Sequence, residues 1–168
     1  SSFFSFPNNV LRNNNKNIII NNGVNIDRIL SYNNSLIRKN HNFNILVLGR
    51  LVELKNPHKI MNAFNLVNNC TKNVQLTFIG DGPLKKNLMR LKNDNVIFKG
   101  LIDRNKVYEE LHKSDLFVSM SRTEGLPVAV LEAMAAALPV ILSDINPHRE
   151  IAGGLINIDF VSLYTDEN

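Results

Sequence analysis

Short apolar runs alternate along this chain with stretches whose apolar residues recur at helical spacing. The run at 44–48 is nearly all apolar, as a parallel strand covered on both faces should be. It ends at Gly49-Arg50, and Asn56 followed by Pro57 reads as a capped helix start. Ile60, Met61, Phe64 and Val67 then carry that helix to about residue 68. The unit repeats. A strand over 74–79 meets the turn Gly80-Asp81-Gly82, and Pro83 opens a helix to about residue 92. Strands follow at 96–99, 115–120 and 139–142, separated by helices over 103–113 and 127–138. Strands spaced by helices need crossover connections, so the pattern predicts an α/β domain with a doubly wound, Rossmann-like parallel sheet.

The ends are less regular. Residues 18–26 read as a strand and turn, 155–158 as a short strand with no closing helix, and 1–17 and 27–43 show little periodicity. Residues 1–17 are expected to be a leader or the remnant of an inter-domain segment, with the domain occupying 18–168. The chain opens with Ser1, and it is expected to be a piece of something longer.

A length of 168 residues with 44% hydrophobic content suits one domain with a real core. One cysteine, Cys70, excludes an internal disulfide; it is expected to fill a buried apolar position in a reducing compartment. No stretch reaches the ~18 apolar residues of a membrane span, and the first twenty residues lack a signal pattern. The expected location is the cytoplasm. A net charge of +4 and a pI near 9.3 point mildly to anionic ligands. Lys85, Lys86, Arg90, Lys92 and Lys99 form the densest basic group, read as a solvated helix face. The asparagine runs at 13–15 and 33–34 mark loops.

The most pointed chemistry is in Glu124-Gly125-Leu126-Pro127-Val128-Ala129-Val130-Leu131-Glu132. Glu124 sits in the loop between a strand and a helix, where open α/β sheets bind ligands. Glu132 lies inside that otherwise uncharged apolar helix, and an isolated buried carboxylate needs a partner, either a ligand hydroxyl or a cation of the protein itself. His41, His58, His112 and His148 form no catalytic arrangement.

Four segments together carry a family resemblance: Asn22-Gly23-Val24-Asn25, Gly49-Arg50-Leu51-Val52-Glu53-Leu54-Lys55, Ile79-Gly80-Asp81-Gly82-Pro83-Leu84, and residues 121–139 with the Glu-x7-Glu spacing. In this order and with these intervals the chain resembles the carboxyl-terminal domain of retaining, nucleotide-sugar-dependent glycosyltransferases of the GT-B fold, family 4, over residues 18–158. The resemblance implies that Arg50 and Lys55 reach the donor diphosphate and that Glu124 contacts the transferred sugar. These three are the catalytic candidates. It further implies that Gly125, Leu126 and Val128 offer backbone N–H groups at a helix start, that Glu132 takes the ribose, and that the base lies near Lys99, Gly100 and Leu101. Arg50 and Lys55 could instead pair with Glu53, Glu124 or Glu132.

The implied donor is a UDP- or GDP-linked sugar, with no cofactor and no metal. The implied acceptor is a glycan or lipid-linked saccharide of polysaccharide, lipopolysaccharide or capsule biosynthesis, bound through an amino-terminal domain absent from this chain. Contact with the inner face of the membrane fits such an acceptor, and no nucleic-acid partner is expected. The isolated domain is expected to transfer little sugar. Two other readings share these motifs: a non-catalytic nucleotide-sugar-binding subunit of a split transferase, and a nucleotide-sugar epimerase of related fold. One departure stands out. Ala137 occupies the helix end where the family usually has glycine, and a left-handed alanine costs on the order of 1 kcal/mol.

Overall fold

A computed structural model describes residues 23–32, 42–71, 73–153 and 157–163. Its elements in chain order are α1 (Ile26–Leu30), β1 (Phe43–Leu48), α2 (Pro57–Cys70), β2 (Val74–Ile79), α3 (Lys85–Leu91), β3 (Val96–Gly100), α4 (Arg104–Lys113), β4 (Leu116–Ser119), α5 (Val128–Ala135), β5 (Val140–Ser143), α6 (Asn146–Ala152) and β6 (Ile158–Val161). All six strands join one sheet in the order β3-β2-β1-β4-β5-β6, and every pairing is parallel. The expected doubly wound, Rossmann-like sheet is therefore present, and its strand order reverses between β1 and β4.

Alternation along the strands divides the core in two. Leu46 packs with Phe117 and Leu142 against Val107 and Leu111 of α4 and Val130 of α5. Val47, the next residue, joins Phe78 and Leu76 against Met61 and Phe64 of α2 and Leu88 of α3. Consecutive strand residues point to opposite faces, so helices on both sides bury an uninterrupted apolar run.

Several boundaries differ from the sequence expectation. The helix after Pro83 starts at Lys85, because Pro83 and Leu84 form a turn. The helix holding Glu132 is shorter at both ends: Pro127 adopts φ −80°, ψ 74° outside it, and Ala137 turns left-handed at φ 59°. Residue 26, expected in a turn, begins α1, whose N-cap is Asn25 accepting from the Arg28 N–H. The strand expected over 18–22 lies outside the described residues. A helix that the sequence pattern did not mark lies between β5 and β6: α6, with Pro147 in its first turn. Cys70, expected inside, ends α2 in an exposed position because the apolar stripe there has run out.

Candidate functional site

Two turns meet at the carboxyl ends of β1 and β2. A Cβ on Gly80, which adopts φ 134°, would lie 1.9 Å from the Gly49 carbonyl oxygen, and one on Gly82 would lie 2.4 Å from that of Leu51. These glycines let the loop after β1 rest directly on the loop after β2. Asp81 supports the same turn, accepting from the Gly82 N–H at 2.8 Å and from Lys85 Nζ at 2.6 Å. The Lys85 hydrogen bond, then that from Gly82, holds its carboxyl below the ordinary range. The segment 79–84 is thus a scaffold for the loop that carries Arg50 and Lys55.

A cavity of about 280 Å3 opens at the switch point between β1 and β4. Of the ten residues singled out in the sequence, Arg50, Lys55, Glu124, Leu126 and Val128 line it. Arg50 is exposed. Lys55 ends a 3-10 turn, Glu53–Lys55, and its ammonium pairs with the Glu124 carboxylate; 28% of one side chain and 12% of the other remain exposed. Ser121 Oγ donates to the same Glu124 oxygen at 2.7 Å. Of the three carboxylates left open as partners for Arg50 and Lys55, namely Glu53, Glu124 and Glu132, it is Glu124 that pairs with Lys55.

What fixes these side chains is a set of ties between the loops after β1 and β4. Asn56 was expected to cap α2, but its side chain makes no capping bond. Instead this residue, 5% exposed and left-handed at φ 48°, ψ 42°, donates from Nδ2 to the Met120 carbonyl at 2.9 Å. Its Oδ1 accepts from Arg122 Nε at 3.1 Å, and the Arg122 N–H donates to the Leu54 carbonyl at 2.8 Å. Asparagine tolerates the left-handed region better than other side chains do, which explains its place at this corner. Behind Ser121, Ser143 Oγ donates to the Ser121 carbonyl at 2.6 Å, and fully buried His148 lies with Nδ1 2.9 Å from the Ser143 carbonyl. Burial lowers the His148 pKa, so the ring is neutral and Nδ1–H donates to that carbonyl. The sequence marked Asn56 only as a helix start and Ser121 only as part of a motif, and it marked neither Ser143 nor His148 for this site, because these roles arise from contacts across the sheet.

The start of α5 faces the cavity through Leu126 and Val128. The Val128 N–H already donates to the Leu126 carbonyl at 2.9 Å. Gly125 sits beside the cavity lining, and a Cβ there would meet nothing within 4 Å, so the loop leaves open space at that point.

Glu132, Lys99, Gly100 and Leu101 lie outside the cavity. Glu132 is 2% exposed, and its partner is a cation of the protein: Arg104 Nη2 at the start of α4 stands 3.0 Å from Oε1. Desolvation raises the Glu132 pKa and Arg104 opposes that rise. Lys99 pairs with Glu110 at 2.5 Å, Gly100 takes φ 68° in the turn that ends β3, and Leu101 is 81% exposed. Among the described residues, no three His, Cys, Asp or Glu side chains are grouped to hold a metal, and no helix is long and apolar enough to cross a membrane.

Comparison with known proteins gives a consistent result. The family described as Glycosyl transferases group 1 matches residues 27–156. An uncharacterized glycosyltransferase of Methanocaldococcus jannaschii is 33% identical over 86% of this chain and 38% of its own length. The UDP-Gal:alpha-D-GlcNAc-diphosphoundecaprenol alpha-1,3-galactosyltransferase of Escherichia coli is 32% identical over 75% of this chain and 35% of its own length. The chain thus spans little more than a third of the length of these two relatives. Among solved structures, the C-terminal domain of a glycosyl transferase group 1 family protein from Francisella tularensis superposes with a TM-score of 0.63 at 25% identity, over 71% of this chain and 67% of that one. The Anabaena protein HepE in complex with UDP shares the fold, with a TM-score of 0.69 at 21% identity over 86% of this chain and 43% of that one.

Proposed function

Since the chain belongs to the glycosyl transferases group 1 family, we propose that it is the carboxyl-terminal, donor-binding half of a retaining family 4 transferase of GT-B type. The complete enzyme moves a hexosyl group from a nucleotide-diphosphate sugar to a glycan or lipid-linked acceptor in the assembly of a surface polysaccharide. The observation that carries this reading is the convergence of Arg50, Lys55, Glu124 and the start of α5 on one cavity at the switch point of the sheet.

Each group has a role that its chemistry permits. The Arg50 guanidinium and Lys55 ammonium take the donor diphosphate, the guanidinium through paired N–H groups and the ammonium as a point charge. The positive end of the α5 dipole adds to them. As the bond to the sugar breaks, negative charge grows on the leaving diphosphate, and cations already aimed at it lower the barrier without a metal. Glu124, released from Lys55, accepts hydroxyls of the transferred sugar. Gly125 leaves room for that sugar, and Glu132 accepts the ribose diol. The turn at Lys99, Gly100 and Leu101 borders the base.

UDP is the first nucleotide to test, because the Anabaena structure holds it. GDP and ADP are the comparisons. Residues 18–168 would form this donor domain, and residues 1–17 a leader or the remnant of an inter-domain segment. The acceptor site would come from an amino-terminal domain, with the assembled enzyme at the inner membrane face. Calorimetric titration of the three nucleotides against this chain should show one of them binding, with Arg50→Ala and Lys55→Ala each weakening it. A chain that binds none of the three at millimolar concentration overturns the reading. Transfer with retained anomeric configuration, assayed after adding the partner half, tests the rest.

A further inference from the structure

The donor-site reading leaves one strong interaction unused: the contact between Arg104 and Glu132. Glu132 is held at 2% exposure by an apolar helix, and Arg104 Nη2 approaches Oε1 to 3.0 Å without the alignment of a hydrogen bond. Oε1 therefore keeps an unfilled acceptor while standing beside a positive charge. Arg104 itself is firmly placed. Its Nε donates to Tyr108 Oη at 3.2 Å, and its guanidinium carbon lies 5.9 Å from the Tyr108 ring centroid. Tyr108 is in turn packed against Tyr32, ring centroids 5.7 Å apart. Asp103 caps α4 by accepting from the Asn105 and Lys106 N–H groups at 3.0 and 3.1 Å. The guanidinium is thus presented on an aromatic shelf with 59% of the side chain still in solvent.

We propose that Arg104 is a positioning residue of the donor site, which keeps Glu132 ionised inside the protein so that both carboxylate oxygens are available to accept the two hydroxyls of a ribose. The proposal rests on the donor-site reading of Glu132. A carboxylate accepts at both oxygens, whereas a protonated carboxyl turns one of them into a donor and cannot receive a diol in the same way. Burial favours the protonated form. Asp27 and Arg28 on α1, Asp103, Lys106, Glu109, Glu110, His112 and Lys113 on or capping α4, and Asp144 after β5 are the other charged or titratable groups of the surrounding elements, and among the described residues only Arg104 reaches Glu132 within ion-pair distance.

The test compares the wild type with Arg104→Gln, Arg104→Lys and Glu132→Gln in UDP titrations from pH 6 to 9. Ratios of Kd to wild type are read, so that titration of the nucleotide itself cancels. Arg104→Gln should bind UDP more weakly at the acid end of this range, by about tenfold for each unit by which the Glu132 pKa stands above the assay pH. Its ratio should return toward one as the pH rises and Glu132 ionises. Arg104→Lys should restore most of the affinity. With 2′,3′-dideoxy-UDP the variants should match the wild type. Because Arg104 is half exposed, the variants are expected to fold, and 13C NMR of the Glu132 carboxyl gives a second reading: its titration must move to higher pH in Arg104→Gln. The inference is overturned if Glu132→Gln weakens UDP while Arg104→Gln binds like the wild type at every pH, or if the carboxyl titration does not move. UDP affinity unaffected in Glu132→Gln would instead overturn the ribose assignment, and the inference with it.

Discussion

Removing the Lys55 ammonium is the sharpest perturbation of the site, because this group has one partner in the structure and a second under the proposed function. In the free protein it pairs with Glu124; as a donor-site residue it would turn to the diphosphate. A hydrogen bond to a charged group is worth about 1.5–3 kcal/mol. Against this stands the pair that must be given up, worth about 0–1 kcal/mol for an ion pair with this degree of exposure. Lys55→Ala should therefore weaken UDP by about 0.5–3 kcal/mol, a factor of roughly two to 150. The loss should fall toward the upper end, since Glu124, 12% exposed, is left without its cation beside the incoming anion. Glu124→Gln makes the opposite change. It frees Lys55 from its competitor, so UDP alone should bind equally well or up to about fivefold more tightly. A UDP-sugar should lose its advantage over UDP in the same variant, because the carboxylate that receives the sugar is gone. The double variant should bind UDP better than Lys55→Ala does, with a coupling of about 1 kcal/mol in the cycle. Isothermal titration calorimetry at one physiological salt concentration reads all four. If Glu124→Gln weakens UDP as severely as Lys55→Ala, Glu124 is helping the nucleotide directly and the exchange described above does not occur.

Three further predictions concern the scaffold. The Glu132 pKa is raised by burial above 4.5, so the native state holds a proton where the unfolded chain has lost it, and stability falls as the pH rises through that window; Glu132→Gln should melt at higher temperature than the wild type near neutral pH, the gap closing as the pH approaches 4.5, and a variant that melts lower at neutral pH contradicts this. Gly80→Ala would force a methyl group to 1.9 Å from the Gly49 carbonyl oxygen at a φ of 134°, and it should cost about 3 kcal/mol or more; a denaturant midpoint within error of the wild type would refute it. Ala137→Gly relieves a left-handed alanine at φ 59° and should add about 1 kcal/mol of stability, seen as a higher midpoint at unchanged slope.

The sheet was legible because each strand between β1 and β5 is an apolar run bounded by Gly, Pro or Asp, and covering it on both faces demands such runs. Two of the short helices were not. α6 spans seven residues and α1 five, fewer than two turns, and in α6 the inward positions include His148 beside Ile151 and Ala152. Glu132 could be recognised as needing a partner, but its partner sits on α4, and nothing local to either helix brings the two together. Asn56 illustrates the converse. Before a proline it has the composition of a helix cap, yet a carbonyl and a guanidinium on the β4 loop take up its amide. Arg50 and Lys55 were found through the family resemblance and Glu124 through its place in a loop between a strand and a helix; their convergence on one cavity follows from the strand-order reversal, which neither signal encodes.

The bonds from Asn56 and Leu54 to Met120 and Arg122 stitch the two lips of the crevice together across the reversal in strand order. With both rims locked to each other, the anion of the proposed donor would find its receptor preassembled, and accommodating it would call for side-chain rotation more than for main-chain rearrangement. The ordering entropy of these loops has been spent at folding, which leaves more of each contact with the visitor to appear as affinity.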